Sequence, residues 1–304
     1  MSIQWFPGHM HKARKEIAES LKRCDLVVEV VDARLPWSST NPLLAELRQH
    51  RQRPCLKVLT KIDLADPQVT QAWINWLRTQ PKTAAIALNL TRPQEAKKLL
   101  PVAKSLAPHR NSLEKPLRIM VGGIPNVGKS TLINALAGRR IAKTGDEPAV
   151  TKRQQWVEIG AAVELLDTPG ILWPKIQHPD SGFRLAAAHA IGKNAVDEMD
   201  VALFVVEMLQ TRYPDALKTR FKLEATEGEP EKLLETIGQK RGFRLAGGRI
   251  DLFKTAEMLL FELRTGLIGR ISFETPADVA ELENPPVRPD DESSPDLESA
   301  DEPL

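Results

Sequence analysis

The sequence predicts an α/β protein with a six-stranded, mostly parallel sheet followed by a smaller helical domain. Short apolar runs alternate with amphipathic segments as far as residue 182, and from Phe183 onward only helical periodicity remains. From residue 276, Pro, Ser, Asp and Glu dominate, with little apolar surface to bury. The expected organisation is a sheet domain at 1–182, a helical domain at 183–275 and a disordered acidic tail at 276–304.

Six strands are expected from the apolar runs at 26–32, 54–60, 84–88, 117–122, 155–159 and 163–166. Amphipathic segments separate the first four, so they form βα repeats, and such crossovers generate parallel strands with helices on both faces. Only Gly160, Ala161 and Ala162 join the last two, which predicts an antiparallel hairpin at one edge. Sheets of this kind bind ligands at the carboxyl ends of their strands.

In the second domain, helices are expected at 183–191, 196–210, 231–239 and 250–264, and a short β-prone piece from Ile268 to Phe273 closes it. Cys24 and Cys55 lie outside any metal-binding spacing, so neither a disulfide scaffold nor a zinc site is expected. The apolar runs fall far short of the roughly 20 residues that a membrane span needs. With no signal-peptide pattern at the N-terminus, a cytoplasmic location is expected.

The formal net charge of +2 conceals an asymmetry along the chain. Residues 1–182 hold 27 Lys and Arg against 16 Asp and Glu, whereas residues 274–304 hold 1 against 11. A basic body favours an anionic partner such as RNA, since phosphate contacts supply most non-specific nucleic-acid affinity. A basic surface that is merely solvated is the alternative. Neither a membrane nor DNA is expected as a partner.

The segment Gly123–Ser130 fits the phosphate-loop pattern GxxxxGK[ST] and lies between a predicted strand and a helix, as that pattern requires. Its backbone N–H groups cradle phosphates, Lys129 reaches the β and γ phosphates, and the Ser130 hydroxyl ligates Mg²⁺. The predicted nucleotide-binding residues of this segment are Asn126, Val127, Gly128, Lys129, Ser130 and Thr131.

The sequence DTPG follows the last predicted strand. Asp167 at the strand end is a candidate Mg²⁺ ligand, and the N–H of Gly170 can meet the γ-phosphate. Thr151, in the loop at 141–154, is a candidate third Mg²⁺ ligand that orders with the γ-phosphate. An ordinary loop threonine is the alternative.

The sequence TKID follows the second predicted strand and supplies the base-reading motif Thr60, Lys61, Ile62 and Asp63. A carboxylate there accepts hydrogen bonds from guanine N1 and N2 and rejects adenine, which selects GTP over ATP. Asn89 and Leu90, after the next strand, are the candidate loop for guanine O6. Ordinary GTPases have the phosphate loop first and the base motif last. The reversed order predicts a circularly permuted P-loop GTPase domain, since joining nearby termini preserves the spatial site.

The chain resembles the ribosome biogenesis GTPase A family, circularly permuted GTPases that assemble the large ribosomal subunit. The resemblance runs from Met1 to about Pro276 and is carried by IQWFPGHMHKARKEI, LVVEVVDARLPWSSTNP, GIPNVGKSTLIN, AKTGDEPAVTKRQQW, LLDTPGILWPK and KRGFRLAGGRID. It implies binding to ribosomal RNA in a late precursor particle, with GTP hydrolysis coupled to release. One departure is Thr60, which replaces the usual Asn of NKxD and is expected to loosen contacts to the base.

The residue after DTPG is Ile171, where Ras-like proteins carry a glutamine that orients the attacking water. The resemblance points to His9 as the replacement catalytic group, because imidazole can accept a proton from water near neutral pH. The alternative is that His9 contacts RNA or caps the first helix. Asn126 matches an asparagine that coordinates K⁺ in related GTPases, so K⁺ is an expected cofactor beside GTP and Mg²⁺.

Candidate phosphate contacts lie on the first helix and in the second domain: Lys12, Arg14, Lys15, Lys240, Arg241, Arg244 and Arg249. Solvated helix faces are the alternative. A monomer is expected. Two other functions stay open: a nucleotide-gated RNA-binding module in which hydrolysis is incidental, and an ATP-dependent kinase that shares the phosphate loop.

Overall fold

A computed structural model describes residues 8–110, 112, 114–142, 154–160, 162–170, 179–192 and 196–283. Within these ranges, six strands form one sheet with the order β3-β2-β1-β4-β6-β5. Neighbours are parallel except β5, which pairs antiparallel with β6 at one edge. The strands are β1 (Leu26–Asp32), β2 (Cys55–Thr60), β3 (Thr83–Ala87), β4 (Leu117–Gly122), β5 (Gln155–Glu158) and β6 (Val163–Asp167). The predicted sheet and its edge hairpin are confirmed.

Helices cover both faces of the sheet, so its central strands are buried at every position except Arg118 and are rich in Val, Ile and Leu. The first-domain helices are α1 (Gly8–Lys22), α2 (Pro42–His50), α3 (Pro67–Thr79), α4 (Leu99–Leu106) and α5 (Lys129–Ala137), with a 3₁₀ turn at Pro93–Lys98. Asn41 and Asp66 cap α2 and α3 by accepting N–H groups of the first turn, and a proline follows each cap.

The helices that follow β6, here called the second domain, are α6 (Pro179–Ala187), α7 (Glu198–Arg212), α8 (Pro214–Phe221), α9 (Pro230–Lys240) and α10 (Leu252–Thr265). Helix α8 is an addition to the predicted elements; its first residue is Pro214, which favours a helix start. The apolar faces of α7, α9 and α10 pack together, and their core is continuous with the core of the sheet. No helix within the described ranges is long and apolar enough to cross a bilayer.

The prediction of a β-prone piece at Ile268–Phe273 is wrong, since these residues form no strand. Their amides instead bond singly to carbonyls of the sheet domain: Ile271 N–H donates to Leu64 O at 2.9 Å and Phe273 N–H to Arg34 O at 2.7 Å. Apolar residues such as Ile271 and Phe273 are buried there. The apolar pattern therefore reflects docking against the first domain, which local periodicity cannot distinguish from strand pairing.

The prediction of disorder from residue 276 is wrong for its first eight residues, which form helix α11 (Pro276–Glu283). Val279 is buried in an apolar cluster that includes Trp73 and Leu77 of α3. Composition alone does not predict this helix, because one buried apolar side chain is enough to pack a short helix against an existing surface. Residues 284–304 lie outside the described part of the chain.

Candidate nucleotide site

The predicted motifs meet at one edge of the sheet. The strands β2, β1, β4 and β6 are parallel neighbours, so their carboxyl ends point the same way. The base motif follows β2, the phosphate loop follows β4, and DTPG begins at the end of β6. The order along the chain is therefore permuted while the spatial arrangement is that of a single site.

At two positions of the phosphate loop, the backbone adopts a conformation that only glycine takes up readily. Gly123 has φ +145°, and a Cβ there would lie 2.4 Å from the carbonyl oxygen of Val30. Gly128 has φ +96° and is the N-cap of α5. Asn126 between them also has a positive φ of 58°. This path presents the N-terminus of α5 and its unpaired N–H groups to a phosphate.

Lys129 and Asp167 are both buried in the interior of the site, and the charge of each affects the pKa of the other. The Lys129 ammonium donates to Ile124 O at 2.6 Å, and burial lowers its pKa to about 8 against the opposing effect of Asp167. Burial likewise raises the pKa of Asp167 to about 6, although the charge of Lys129 acts in the opposite direction. A Cβ at Gly170 would lie 3.0 Å from Lys129 Nζ, so the DTPG turn adjoins the phosphate-loop lysine.

The residues present fit a magnesium ion. The Oδ1 atom of Asp167 is buried without a hydrogen-bond partner, and a buried orphan oxygen of this kind suits a cation ligand. Ser130 lies half-buried in the first turn of α5. The described residues include no cluster of three His, Cys, Asp or Glu, as expected where Mg²⁺ takes most of its ligands from phosphate and water. Thr151, the third predicted ligand, lies outside the described residues.

Thr60 links the base motif to the phosphate loop. Its hydroxyl is buried, lies 2.6 Å from Val127 O and 3.0 Å from Val31 O, and has one proton to donate between them. The Thr60 hydroxyl therefore connects the base motif to the phosphate loop, and a contact of Thr60 to the base stays a prediction. Asp63 lies exposed on the loop beyond, as a base-reading carboxylate requires.

Asp32 and Arg34 also belong to the site region, although the sequence predicts no role for them beyond their place in the segment VVDARLP. Arg34 donates to both carboxylate oxygens of Asp32, at 3.0 and 2.8 Å, and Lys61 Nζ lies 3.0 Å from Asp32 Oδ2. Burial would raise the pKa of Asp32, but Arg34 and Lys61 together hold it well below its usual range. The buried pair therefore orients Lys61, which has a positive φ of 56°.

The candidate O6 loop lies next to the phosphate loop, since a Cβ at Gly128 would be 3.5 Å from Leu90 Cδ1. Asn89 Oδ1 accepts from the N–H and hydroxyl of Thr91, which stabilises a tight turn. The contact to guanine O6 stays a prediction. So does K⁺ binding by Asn126, whose Nδ2 donates to His189 O at 2.8 Å in the second domain. His9 lies in α1, but the structure does not describe its side chain. Thr131 is exposed, and Ile171 lies outside the described residues.

A phosphate loop, a buried Lys–Asp pair and a base motif at adjacent strand ends define a P-loop GTPase with a permuted chain order. The family model described as "50S ribosome-binding GTPase" matches residues 118–240, which begin just before the phosphate loop and leave the base motif outside. The chain is 43% identical to ribosome biogenesis GTPase A of Priestia megaterium over 91% of this chain and 98% of that protein. It is 44% identical to the Bacillus cereus protein of the same name, over 92% and 96%.

The chain thus belongs to the family of ribosome biogenesis GTPase A, and it is a GTP hydrolase. A mouse protein named mitochondrial ribosome-associated GTPase 1 is 32% identical over 89% of this chain and 90% of that protein. The GDP-bound structure of T. maritima YlqF matches with a TM-score of 0.64 and 27% identity, covering 86% of this chain and 100% of that one. The predicted fold class and GTPase activity are confirmed.

Proposed function

We propose that this GTPase binds late precursors of the large ribosomal subunit through their RNA and hydrolyses GTP to drive assembly and its own release. The observation that carries the proposal is the match to ribosome biogenesis GTPase A proteins, which extends through both the nucleotide site and the helical domain. The description "50S ribosome-binding GTPase" supports the large subunit as the partner. A cytoplasmic location and a monomeric state are parts of the same proposal.

In this proposal the phosphate loop and Lys129 bind the β and γ phosphates, while the N–H of Gly170 contacts the γ-phosphate. Ser130, Asp167 and Thr151 hold Mg²⁺, which when bound neutralises charge on the phosphates. Ile171 cannot orient water, so the imidazole of His9 accepts a proton from the attacking water once the particle is bound. Asn126 recruits K⁺, and equal hydrolysis rates in K⁺ and Na⁺ would exclude that part.

The helical domain offers a surface suited to RNA. Lys240, Arg244 and Arg249 are exposed, and Leu245, Phe253 and Phe261 expose large apolar side chains in the same domain. Exposed basic and aromatic side chains of this kind are typical of domains that contact phosphates and unstacked bases. Two other candidate contacts serve within the protein: Arg14 pairs with Glu46 at 2.6 Å, and Arg241 pairs with Glu262 at 2.9 Å.

The decisive measurement is GTP turnover with and without purified large-subunit precursor particles, with small-subunit particles as the matched control. The proposal expects strong acceleration by the former only. Particle binding without acceleration would favour the RNA-binding module. A competition of GTP against ATP tests the kinase alternative, which requires ATP to bind at least as tightly.

A further inference from the structure

The loop at 61–66 carries the base-reading Asp63, and residues of the second domain hold its backbone. The partners lie 205–208 residues later in the chain. Arg270 Nε donates to Ala65 O at 2.8 Å, and Arg270 Nη2 donates to Ile62 O at 2.7 Å. One guanidinium therefore bonds to the loop backbone on both sides of Asp63.

Neighbours of Arg270 complete this contact. Ile271 N–H donates to Leu64 O at 2.9 Å, and Asp66 N–H donates to Ser272 Oγ at 3.1 Å. The hydroxyl of Tyr213 accepts from Ser272 N–H at 3.1 Å and lies 3.4 Å from Asp66 Oδ2. Three successive residues, Arg270, Ile271 and Ser272, therefore bond to the loop.

The approach is close enough to restrict the residue at 266. Gly266 has φ +77°, and a Cβ there would lie 2.8 Å from Leu64 Cδ2. Leu64 sits on the loop directly after Asp63. Packing as well as hydrogen bonding therefore fixes the loop against the second domain.

We propose that Arg270 is a positioning residue for guanine recognition, and that the segment 266–272 is an integral wall of the base site. This proposal rests on the proposed function, in which the Asp63 carboxylate accepts hydrogen bonds from guanine. A carboxylate that accepts two hydrogen bonds from one base must be held to within about 0.5 Å. The loop also contains Lys61 in a left-handed conformation, which persists only when its surroundings hold it.

The expected consequence is a change in base selectivity rather than in folding. Arg270 is exposed, so truncating it leaves no buried cavity. Without the Arg270 side chain, the carbonyl oxygens of Ile62 and Ala65 accept hydrogen bonds from water instead. The carboxylate of Asp63 then samples several positions. Binding of every guanine nucleotide weakens, and the exocyclic amino group of guanine loses the partner that distinguishes it from hypoxanthine.

The test measures dissociation constants of GDP and inosine diphosphate, which lacks that amino group, for Arg270→Ala. We expect GDP binding to weaken about tenfold and the preference for GDP over inosine diphosphate to fall at least threefold. Arg270→Lys retains one donor and should recover part of the preference. Arg264→Ala is the matched control, because Arg264 also donates to two backbone carbonyls, of Ala186 and Ala187, away from the base loop. Its preference for GDP should equal that of the wild type.

Asp63→Asn separates failure of this inference from failure of the site assignment. If Asp63→Asn leaves GDP affinity unchanged, Asp63 does not read guanine and the assignment itself fails. If Asp63→Asn weakens GDP binding while Arg270→Ala and Arg270→Lys both keep the wild-type preference, the positioning role of Arg270 is overturned. A loss of thermal stability in Arg270→Ala with an unchanged preference would also overturn it, since that pattern indicates a purely structural role.

Discussion

At the scale of single residues, Asp167 carries an unpartnered carboxylate oxygen inside the candidate site. Its Oδ1 atom is buried without a partner, and burial raises its pKa to about 6. Burial also disfavours the charged form of Lys129 and lowers its pKa to about 8. Burying these two charged groups lowers the stability of the nucleotide-free protein. Such a loss is common at functional sites, where a bound ligand offsets it.

The replacement Asp167→Asn tests this cost. A folded-state pKa above the ordinary 3.8 means that the contribution of Asp167 to stability is complete below about pH 3.8 and is lost as pH rises through about 6. Between pH 5 and 7.5, the nucleotide-free wild type should therefore lose roughly 2–4 °C more in unfolding midpoint than Asp167→Asn does. Thermal scans at both pH values measure this difference, and equal shifts in the two proteins would contradict it.

The same replacement should lower Mg²⁺-dependent GTP hydrolysis by at least roughly 100-fold, because loss of a metal contact removes charge stabilisation in the transition state. Hydrolysis rates across a Mg²⁺ titration give the measurement. Retained turnover at ordinary Mg²⁺ concentrations would remove Asp167 from the ligand set.

His9 is the candidate catalytic group for water activation. If its imidazole orients the attacking water, His9→Ala should lower particle-stimulated turnover by roughly 10²–10⁴-fold and leave GTP affinity intact. His50→Ala is the control, since His50 is an exposed histidine at the end of α2. Single-turnover hydrolysis with precursor particles measures the effect. Equal turnover in wild type and His9→Ala would return His9 to an RNA-contact or helix-capping role.

At the scale of elements, the returning segment 266–275 joins the second domain to the first, and Glu274 is its anchor. The carboxylate is fully buried and accepts from Trp37 N–H at 2.6 Å, Ser38 N–H at 2.9 Å and Arg184 at 3.1 Å. Burial raises its pKa even against the opposing charge of Arg184. The segment therefore depends on one satisfied buried carboxylate.

Glu274→Ala should destabilise the protein by about 3 kcal/mol, because it leaves Arg184 buried without its partner and two amides unsatisfied. The unfolding midpoint should fall by roughly 6–12 °C. Glu46→Ala removes the exposed pair with Arg14 and should change stability by less than about 1 kcal/mol. Chemical denaturation of both variants compares them. Similar stabilities would show that Glu274 does not anchor the segment.

At the scale of the whole molecule, the basic surface should make particle binding dependent on salt. Each phosphate contact contributes about −0.7 to −0.9 to the slope of log K against log salt concentration. The double variant Arg244→Ala with Arg249→Ala should flatten this slope by roughly 1–2. The control removes two exposed lysines from the same domain, Lys218 and Lys232. Equal slopes for the two double variants would mean that the domain's overall charge, rather than this surface, attracts the particle.

Local pattern was enough to predict the strands and the placement of the motifs at their ends. Alternation of apolar runs with amphipathic segments specifies βα repeats, and parallel strands necessarily bring their carboxyl ends to one edge. The predicted edge of the sheet therefore holds Gly128, Lys129 and Asp167. Helix α8 escaped prediction because its eight residues are too few for a clear periodicity.

The sequence by itself determined the sheet, the phosphate loop and the permuted order, because each depends on residues that are near one another in the chain. Only the tertiary structure decided that Arg270 holds the base loop, that Glu274 anchors the segment after it, and that Thr60 bonds to Val127. These contacts join positions far apart in sequence, and no local periodicity encodes which distant carbonyl a guanidinium will reach. They depend on tertiary packing, which the chain settles only on folding.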